Sequence, residues 1–165
     1  MPKDQIFESS IKYGGIFNFR DYYEFAFKWL RGEAGFTMQE DEYEEKLSGN
    51  EKEIKIKWKG TQKVSDYFHY EIALEMKVEE LIEVEIVRGE EKVRTNKGKI
   101  KLKLKATFIK DPKGQFETTA KGKIWRSLYE KFLIPGRVKE YEDKLRDRCL
   151  DFLGESKAFL ELEGQ

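Results

Sequence analysis

The only histidine and the only cysteine are the first candidates for chemistry in this sequence. His69 lies between Phe68 and Tyr70, out of phase with the apolar residues of its segment. A histidine base needs a nucleophile, and the sequence has no Gly-x-Ser-x-Gly elbow or Cys–His signature. Cys149 lies on an apolar helical stripe, where cysteine usually packs as a small hydrophobe. The sequence nominates no catalytic residue, and a protein that is not an enzyme is the favoured interpretation.

Metal and phosphate-loop chemistry finds no support either. One histidine and one cysteine are too few for a structural zinc site. The acidic clusters at 40–42 and 44–45 lack the Asp-x-Asp-x-Asp-Gly loop that folds around calcium. Gly14-Gly15 and Gly32 are not followed by the Gly-Lys-Ser/Thr of a phosphate-binding loop. We therefore expect no metal and no cofactor.

Alternating lysines near residue 100 form the clearest charged pattern. On one strand they would place five positive charges on one face over about 27 Å. Such a face can follow a phosphate backbone, but base-stacking aromatics are missing from it, and Glu83 and Glu85 on a neighbouring strand would neutralise part of it. Two interpretations stay open, an RNA- or ribosome-binding patch and a charge ladder without a ligand. The five residues are Lys97, Lys99, Lys101, Lys103 and Lys105.

The aromatic residues indicate a packed core that could enclose a cavity. Tyrosine has an apolar ring and a polar hydroxyl, and such residues commonly line ligand pockets. The candidate ligand-binding residues are Trp58, Tyr70, Leu102 and Tyr141.

Composition limits the functional classes. The chain has 165 residues, 39% hydrophobic and 39% charged, with 32 basic and 32 acidic side chains. Zero net charge removes any general attraction to nucleic acid or anionic membranes and leaves local patches only. Balanced Lys and Glu with one cysteine is typical of thermophilic sources, archaeal or bacterial. No signal-peptide run or span of ~20 apolar residues is present, so we expect a cytoplasmic protein without a membrane partner.

Periodicity predicts the elements that position these residues. Residues 5–13 form a strand, closed by a turn at Gly14-Gly15. Asn18 begins a helix as its N-cap, with Asp21 three residues later, and the helix ends near Gly32. Residues 37–47 and 52–59 form a hairpin whose register places Glu44, Glu42 and Glu40 opposite lysines. Its predicted pairs are Leu47–Lys52, Glu44–Lys55, Glu42–Lys57, Glu40–Lys59 and Tyr43–Ile56.

Three further strands are expected before residue 110, namely 68–78, 82–86 and 99–109, with a turn at 88–91 and a turn or bulge at 96–98. A turn at 111–114 and a short strand at 115–119 follow. Beyond them a helical period begins at Ile124, is interrupted at Pro135-Gly136 and ends at Gly154. The last helix has one apolar stripe, and residues 158–162 form a short tail. The stripe consists of Val138, Tyr141, Leu145, Cys149 and Phe152.

These elements predict a single α+β domain over residues 1–165, with a curved antiparallel sheet of about six or seven strands. The order of strand, helix, antiparallel strands and long C-terminal helix resembles the helix-grip arrangement of the START and Bet v 1-like superfamily. The chain is also similar to archaeal proteins of this size. The helix-grip resemblance implies a non-enzymatic binding protein that holds an apolar ligand or a protein partner between sheet and last helix. Alternatives are the RNA-binding protein described above and a homodimer.

Overall fold

The computed structural model describes the backbone of residues 3–110 and 135–164 and the side chains of residues 3–110 and 137–164. This part of the chain contains one sheet and two helices, so the α+β class is confirmed. The elements are β1 (Lys3–Phe17), α1 (Phe19–Lys28), a π-helical turn (Trp29–Glu33), β2 (Thr37–Ser48), β3 (Glu51–Lys63), β4 (Phe68–Arg88), β5 (Glu91–Lys110) and α2 (Pro135–Glu163).

The five described strands form one antiparallel sheet in the order β1-β5-β4-β3-β2. Strands β2 to β5 follow one another as hairpins, whereas β1 pairs with the last strand, β5. Order and helices are compatible with a helix-grip-like topology. The predicted turn at 111–114, the strand at 115–119 and the helical period from Ile124 lie outside the described residues.

The described residues contain five strands and not six or seven, because two predicted strands are one and the strand predicted at 115–119 lies outside the described residues. Strand β4 runs unbroken through residues 68–88, with a register shift between Glu79 and Ile82. Glu80 has a φ of 55°, a value that bulges accommodate. Gly98 lies opposite this bulge, and a Cβ there would approach the Leu81 Cα to 3.0 Å. Residues 96–98 therefore lie within β5, opposite the bulge in β4, and do not form a turn.

The predicted turn at Gly14-Gly15 is also wrong. Both glycines lie inside β1, paired with Lys99 and Gly98 of β5. A glycine pair is a turn signal in sequence, but it also fits a strand where backbones approach closely. Strand β1 therefore continues along β5 as far as Phe17, and its register with β5 places Lys12 beside Lys101.

The β2–β3 register agrees with the prediction near the turn and departs from it further away. Leu47–Lys52, Glu44–Lys55, Glu42–Lys57 and Tyr43–Ile56 are paired as expected. The turn has Gly49 at a φ of 65° in the first position, where type II′ hairpin turns place glycine. A register shift between Glu40 and Glu42 then pairs Glu40 with Trp58 instead of Lys59.

Helix α1 begins as predicted, because the Asn18 side chain accepts a hydrogen bond of 3.0 Å from the Asp21 backbone N–H. Helix α2 begins at Pro135, and whether a helix precedes it lies outside the described residues. Gly154 does not end α2, which continues to Glu163 and includes the predicted tail.

The core lies between the two helices and one face of the sheet, the inner face. Alternate residues of β4 and β5 are buried there, as their period predicts. Helix α2 contributes Leu145, Cys149 and Phe152 to this core, while Val138 and Tyr141 are half-buried. The buried strand residues are Phe68, Tyr70, Ile72, Leu74, Met76 and Val78 of β4, and Ile100, Leu102, Leu104, Ala106 and Phe108 of β5.

Polar contacts hold the helices to each other and to the sheet. The buried Tyr22 hydroxyl of α1 donates to the buried Ser156 hydroxyl of α2 at 2.9 Å. Arg148 Nη1 donates to Gln62 Oε1 at 2.6 Å and to the Ala34 carbonyl at 3.1 Å. Within the described ranges, no helix has the length and apolar composition needed to cross a membrane.

Candidate anion-binding surface

The opposite face of the sheet, the outer face, carries the alternate residues of the same strands. Because successive side chains of a strand point to opposite sides, burial of Leu102 sends Lys101 and Lys103 outward. Between Lys99 and Thr107 of β5, the outer positions of the described strands hold charged residues, glutamine and small residues, with no aromatic side chain. The outer face is a charged surface without a stacking platform.

The register places one lysine from each of four neighbouring strands side by side. Lys101 of β5 pairs with Lys12 on one side and with Lys77 on the other. Lys77 in turn pairs with Lys55 of β3, and Glu44 of β2 ends the line. We call Lys12, Lys101, Lys77 and Lys55 the cross-strand lysine row. Three strand spacings of about 4.8 Å give the row a length of about 14 Å.

This row is poorly neutralised by its surroundings. Like charges directly opposite each other destabilise a sheet. Lys77 has an ion pair of 3.3 Å with Glu79 of its own strand. Within the described residues, Lys12, Lys55 and Lys101 have no ion pair. Three of the four strands, β1, β5 and β3, thus present a lysine with no described carboxylate within ion-pair distance, and Glu44 opposite Lys55 is the one carboxylate in the line.

The neighbouring row, two residues along each strand, has the opposite character. Here a lysine alternates with a carboxylate from strand to strand, and Lys57 has an ion pair of 3.5 Å with Glu42. Lys103 is 3.3 Å from the carboxylate of Glu8, whose pKa is lowered chiefly by its contact with Lys103 and then by Gln5. We call this line the alternating row. Its members are Ser10, Lys103, Glu75, Lys57 and Glu42.

The five predicted lysines of β5 therefore differ from one another. Lys99 has an ion pair of 3.3 Å with Glu80 in the β4 bulge, and Lys103 is paired with Glu8. Lys105 pairs with Glu8 across the ladder, and Lys97 lies beside the bulge between Ile16 and Ile82. Only Lys101 has a lysine on both sides. The structure gathers Lys101 with three residues that the sequence pattern did not nominate.

An open cleft lies at the β1 end of the row. It has a volume of about 550 Å³, and lysines from three strands surround it together with Glu79. Gly14 has no side chain to fill it, and a Cβ at that position would meet the Lys99 Cγ at 3.8 Å, an ordinary contact. The lysines that line the cleft are Lys12, Lys77, Lys99 and Lys101.

The four predicted ligand-binding residues lie on the inner side. Trp58, Tyr70 and Leu102 are 2%, 3% and 0% exposed, and Tyr141 is half-buried. The Tyr70 hydroxyl donates to the Tyr141 carbonyl at 2.7 Å, and burial raises the pKa of Tyr70 to about 12. These two residues join β4 to the start of α2.

Trp58 belongs to a separate cluster under α1. Its Nε1 donates to the Glu40 carboxylate at 3.1 Å, and the Tyr23 hydroxyl donates to the same oxygen at 2.7 Å. Burial and this bond to Glu40 raise the pKa of Tyr23 to about 12. The cluster explains the bulge in β2, because pairing with Trp58 places the exposed Glu40 within reach of these two donors.

Cys149 and His69, the two side chains first considered for catalysis, lie outside the outer-face surface described above. Cys149 is 3% exposed, and burial raises the pKa of its thiol to about 12, which disfavours the reactive thiolate at neutral pH. His69 pairs with Lys63 and Ile109 near the end of the sheet. In the described part of the chain, no group of three or more His, Cys, Asp or Glu side chains is arranged to hold a metal ion.

Sequence reasoning missed Lys12, Lys55 and Lys77 because their importance comes from register. Each occupies an outward position of its own strand, which the alternation reveals. Their alignment depends on the pairing of β1 with β5, two strands far apart in the sequence. Comparisons with protein-family models, with curated proteins and with solved structures find no match to this chain. Function is therefore inferred from the surface geometry.

Proposed function

We propose that this protein binds RNA through the outer face of its sheet. The observation that carries the proposal is the set of lysines without ion pairs, Lys12, Lys55 and Lys101, which lie in one line with Lys77 across a face that no described helix covers. A phosphate backbone would supply the negative charges that the neighbouring strands do not.

The chemistry of the face indicates which part of RNA it contacts. Lysine ammonium groups recognise phosphates as point charges and carry no sequence information by themselves. Sequence-specific RNA modules usually add aromatic side chains that stack on bases, and the outer positions described above have none. The expected binding is therefore tolerant of sequence and sensitive to salt.

Fluorescence anisotropy with a labelled oligouridine tests the proposal. If all four lysines of the row contact phosphates, each contact contributes about −0.7 to the salt dependence. A plot of the logarithm of the association constant against the logarithm of the salt concentration should then have a slope of roughly −2.8. Affinity should then fall about fifty-fold between 50 and 200 mM salt. Replacing Lys12, Lys55 and Lys101 by glutamine should weaken binding about five-hundredfold at 50 mM salt and reduce the salt effect to about threefold.

A matched variant controls for net charge. Lys28, Lys92 and Lys157 are exposed and lie outside the outer face, so changing them to glutamine removes the same charge elsewhere. This control should bind oligouridine nearly as well as the wild-type protein. Equal losses in both triple variants, or no binding by the wild-type protein at low salt, would contradict the proposal.

A second candidate function is the binding of an apolar ligand or protein partner between the sheet and α2. The observation in its favour is the half-buried Tyr141, whose ring centroid lies 5.3 Å from that of Phe68 and whose carbonyl is held by Tyr70. Native mass spectrometry of protein purified from its own source tests it. An added mass that persists in the lysine variants and is lost on organic extraction would support this function, and a bare chain mass would count against it.

A further inference from the structure

Two directions are open to a polyanion on the outer face, along β5 or across the strands. The five β5 lysines define the first direction, and the cross-strand lysine row defines the second. The two lines intersect at Lys101 and run nearly perpendicular to each other. Which one a ligand follows depends on how carboxylates are distributed around each line.

Along β5 the positive charge is interrupted. Lys99 has Glu79 directly opposite and an ion pair with Glu80. Lys103 has Glu75 opposite and an ion pair with Glu8. A phosphate at either position would compete with a carboxylate that is already within 3.3 Å of the lysine.

Across the strands the charge is continuous from β1 to β3. Lys12, Lys101, Lys77 and Lys55 are direct ladder neighbours, so a carboxylate does not separate any two of them in the row. At the β1 end, the cleft above Gly14 has space beside Lys12 and Lys101 for a phosphate group. Glu44 of β2 ends the line at the other side.

We infer that the RNA is a single strand that crosses the sheet perpendicular to its strands, with up to four phosphates on the cross-strand lysine row. This inference rests on the proposed function and adds the direction and the strandedness of the ligand. A single line of lysines matches one phosphate backbone, whereas a duplex presents two backbones across a groove. The bases face away from the sheet, because the surface beneath offers nothing on which to stack.

Two triple variants with equal charge distinguish the directions. One changes Lys12, Lys55 and Lys101 to glutamine, and the other changes Lys99, Lys103 and Lys105. Both leave Lys77 in place, and both remove three positive charges from the same face. In the anisotropy assay the cross-strand variant should lose about five-hundredfold in affinity at 50 mM salt and show a slope of roughly −0.7. The β5 variant should keep a slope of roughly −2.8 and lose less than about tenfold.

A third variant tests the cleft without removing a lysine. Gly14→Glu places a carboxylate between Lys12 and Lys99 on the outer face, where the backbone accepts a side chain. It should weaken oligouridine binding by about tenfold, since it neutralises roughly one phosphate contact. Thr61→Glu is the matched control, because Thr61 is exposed and lies six residues from Lys55, about 20 Å along β3.

The outcomes separate this inference from the function on which it rests. Greater loss in the cross-strand variant than in the β5 variant, with oligouridine preferred over an RNA duplex of equal length, supports the inference. Equal losses, a larger loss in the β5 variant or a preference for duplex overturns it while leaving RNA binding intact. A wild-type protein that binds neither RNA overturns both. Circular dichroism and the melting temperature verify that each variant is folded, so that a loss of binding is not a loss of structure.

Discussion

The cross-strand lysine row and the alternating row lie side by side on the same strands, yet they follow opposite rules. In the alternating row, Lys103 faces Glu75 and Lys57 faces Glu42, as a solvated sheet surface requires. In the lysine row, Lys101 has a lysine on each side. Backbone, pairing and solvent exposure are similar, so the difference lies in the choice of side chain.

The sheet can thus neutralise its lysines, as it does in the alternating row, and leaves them without carboxylate neighbours in most of the adjacent lysine row. An alternating arrangement at Lys12, Lys101 and Lys77 would be more stable by simple electrostatics. Departures from the locally stable choice are expected at functional sites, where stability is given up for binding. The alternating row therefore serves as an internal reference for the lysine row.

The largest expected effect comes from replacing Leu102, the inner-face residue of β5 that lies between a member of each row. Leu102 is 0% exposed and lies between Lys101 and Lys103 in the sequence. Leu102→Ala should lower the free energy of unfolding by about 2–5 kcal/mol, because it leaves a cavity in the core. Lys101→Ala should change it by about 0.5 kcal/mol or less. Urea unfolding of both variants measures the contrast, and similar losses would contradict the assignment of faces.

A smaller loss of stability is expected on replacing the buried Ser156, and the exposed Ser10 provides the contrast. Ser156 is 0% exposed and accepts the hydrogen bond of the buried Tyr22 hydroxyl, whereas Ser10 is an exposed member of the alternating row. Ser156→Ala should lower the free energy of unfolding by about 1–3 kcal/mol, because Tyr22 is left without a partner. Ser10→Ala should be nearly neutral. Thermal unfolding checks both, and recovery of stability in Ser156→Ala on adding Tyr22→Phe would confirm the cause.

The most direct test of the comparison exchanges charge in each row. Lys101→Glu changes the interactions of position 101 with Lys12 and Lys77 from repulsive to attractive. It should therefore stabilise the protein by about 0.4–2 kcal/mol. Lys103→Glu places a carboxylate beside Glu75 and removes the partner of Glu8, so it should destabilise by a similar amount.

The melting temperature should therefore shift upward by a few degrees for Lys101→Glu and downward for Lys103→Glu, at about 2–4 °C per kcal/mol. The stabilised variant should also be the one that loses affinity for oligouridine. Destabilisation by Lys101→Glu would show that the row is not under like-charge strain, and the contrast between the rows would disappear.

Much of this geometry can be predicted from the sequence, because burial imposes a period of two on the strands. The inner residues of β4 and β5 follow from that period, and so does the outward direction of Lys101. The β2–β3 register can be predicted as far as Glu42 because the turn at Gly49 fixes it locally. Beyond Glu42 the predicted register is wrong, since a bulge pairs Glu40 with Trp58 and the exposed Glu40 carboxylate accepts hydrogen bonds from Trp58 and Tyr23.

The lysine row itself could not be predicted, and the reason is physical. It needs β1 to pair with β5, a contact between segments nearly 90 residues apart that no local pattern specifies. The cleft at the β1 end of the row also depends on Gly14 and Gly15 lying within the strand, whereas glycine pairs more often mark turns. The bulge at Glu80 likewise reflects tertiary packing, with Gly98 pressed against it.

The smallest expected effect concerns one carboxyl group beside the alternating row. Contact with Lys103 is the main cause of the lowered pKa of Glu8, followed by the hydrogen bond from Gln5. A lowered pKa means that the charged form favours the folded state, so this contribution is present above the ordinary Glu pKa and is lost as pH falls through the lowered value. Lys103→Gln should move the Glu8 pKa upward, while Lys101→Gln, one rung away in the lysine row, should leave it nearly unchanged. A pH titration of the Glu8 carboxyl carbon by NMR measures both, and because Glu8 is exposed, the accompanying change in stability should be small. A pKa that responded equally to both substitutions would mean that the two rows share one diffuse field, in which case the pairing of Lys103 and the isolation of Lys101 would not be distinct properties.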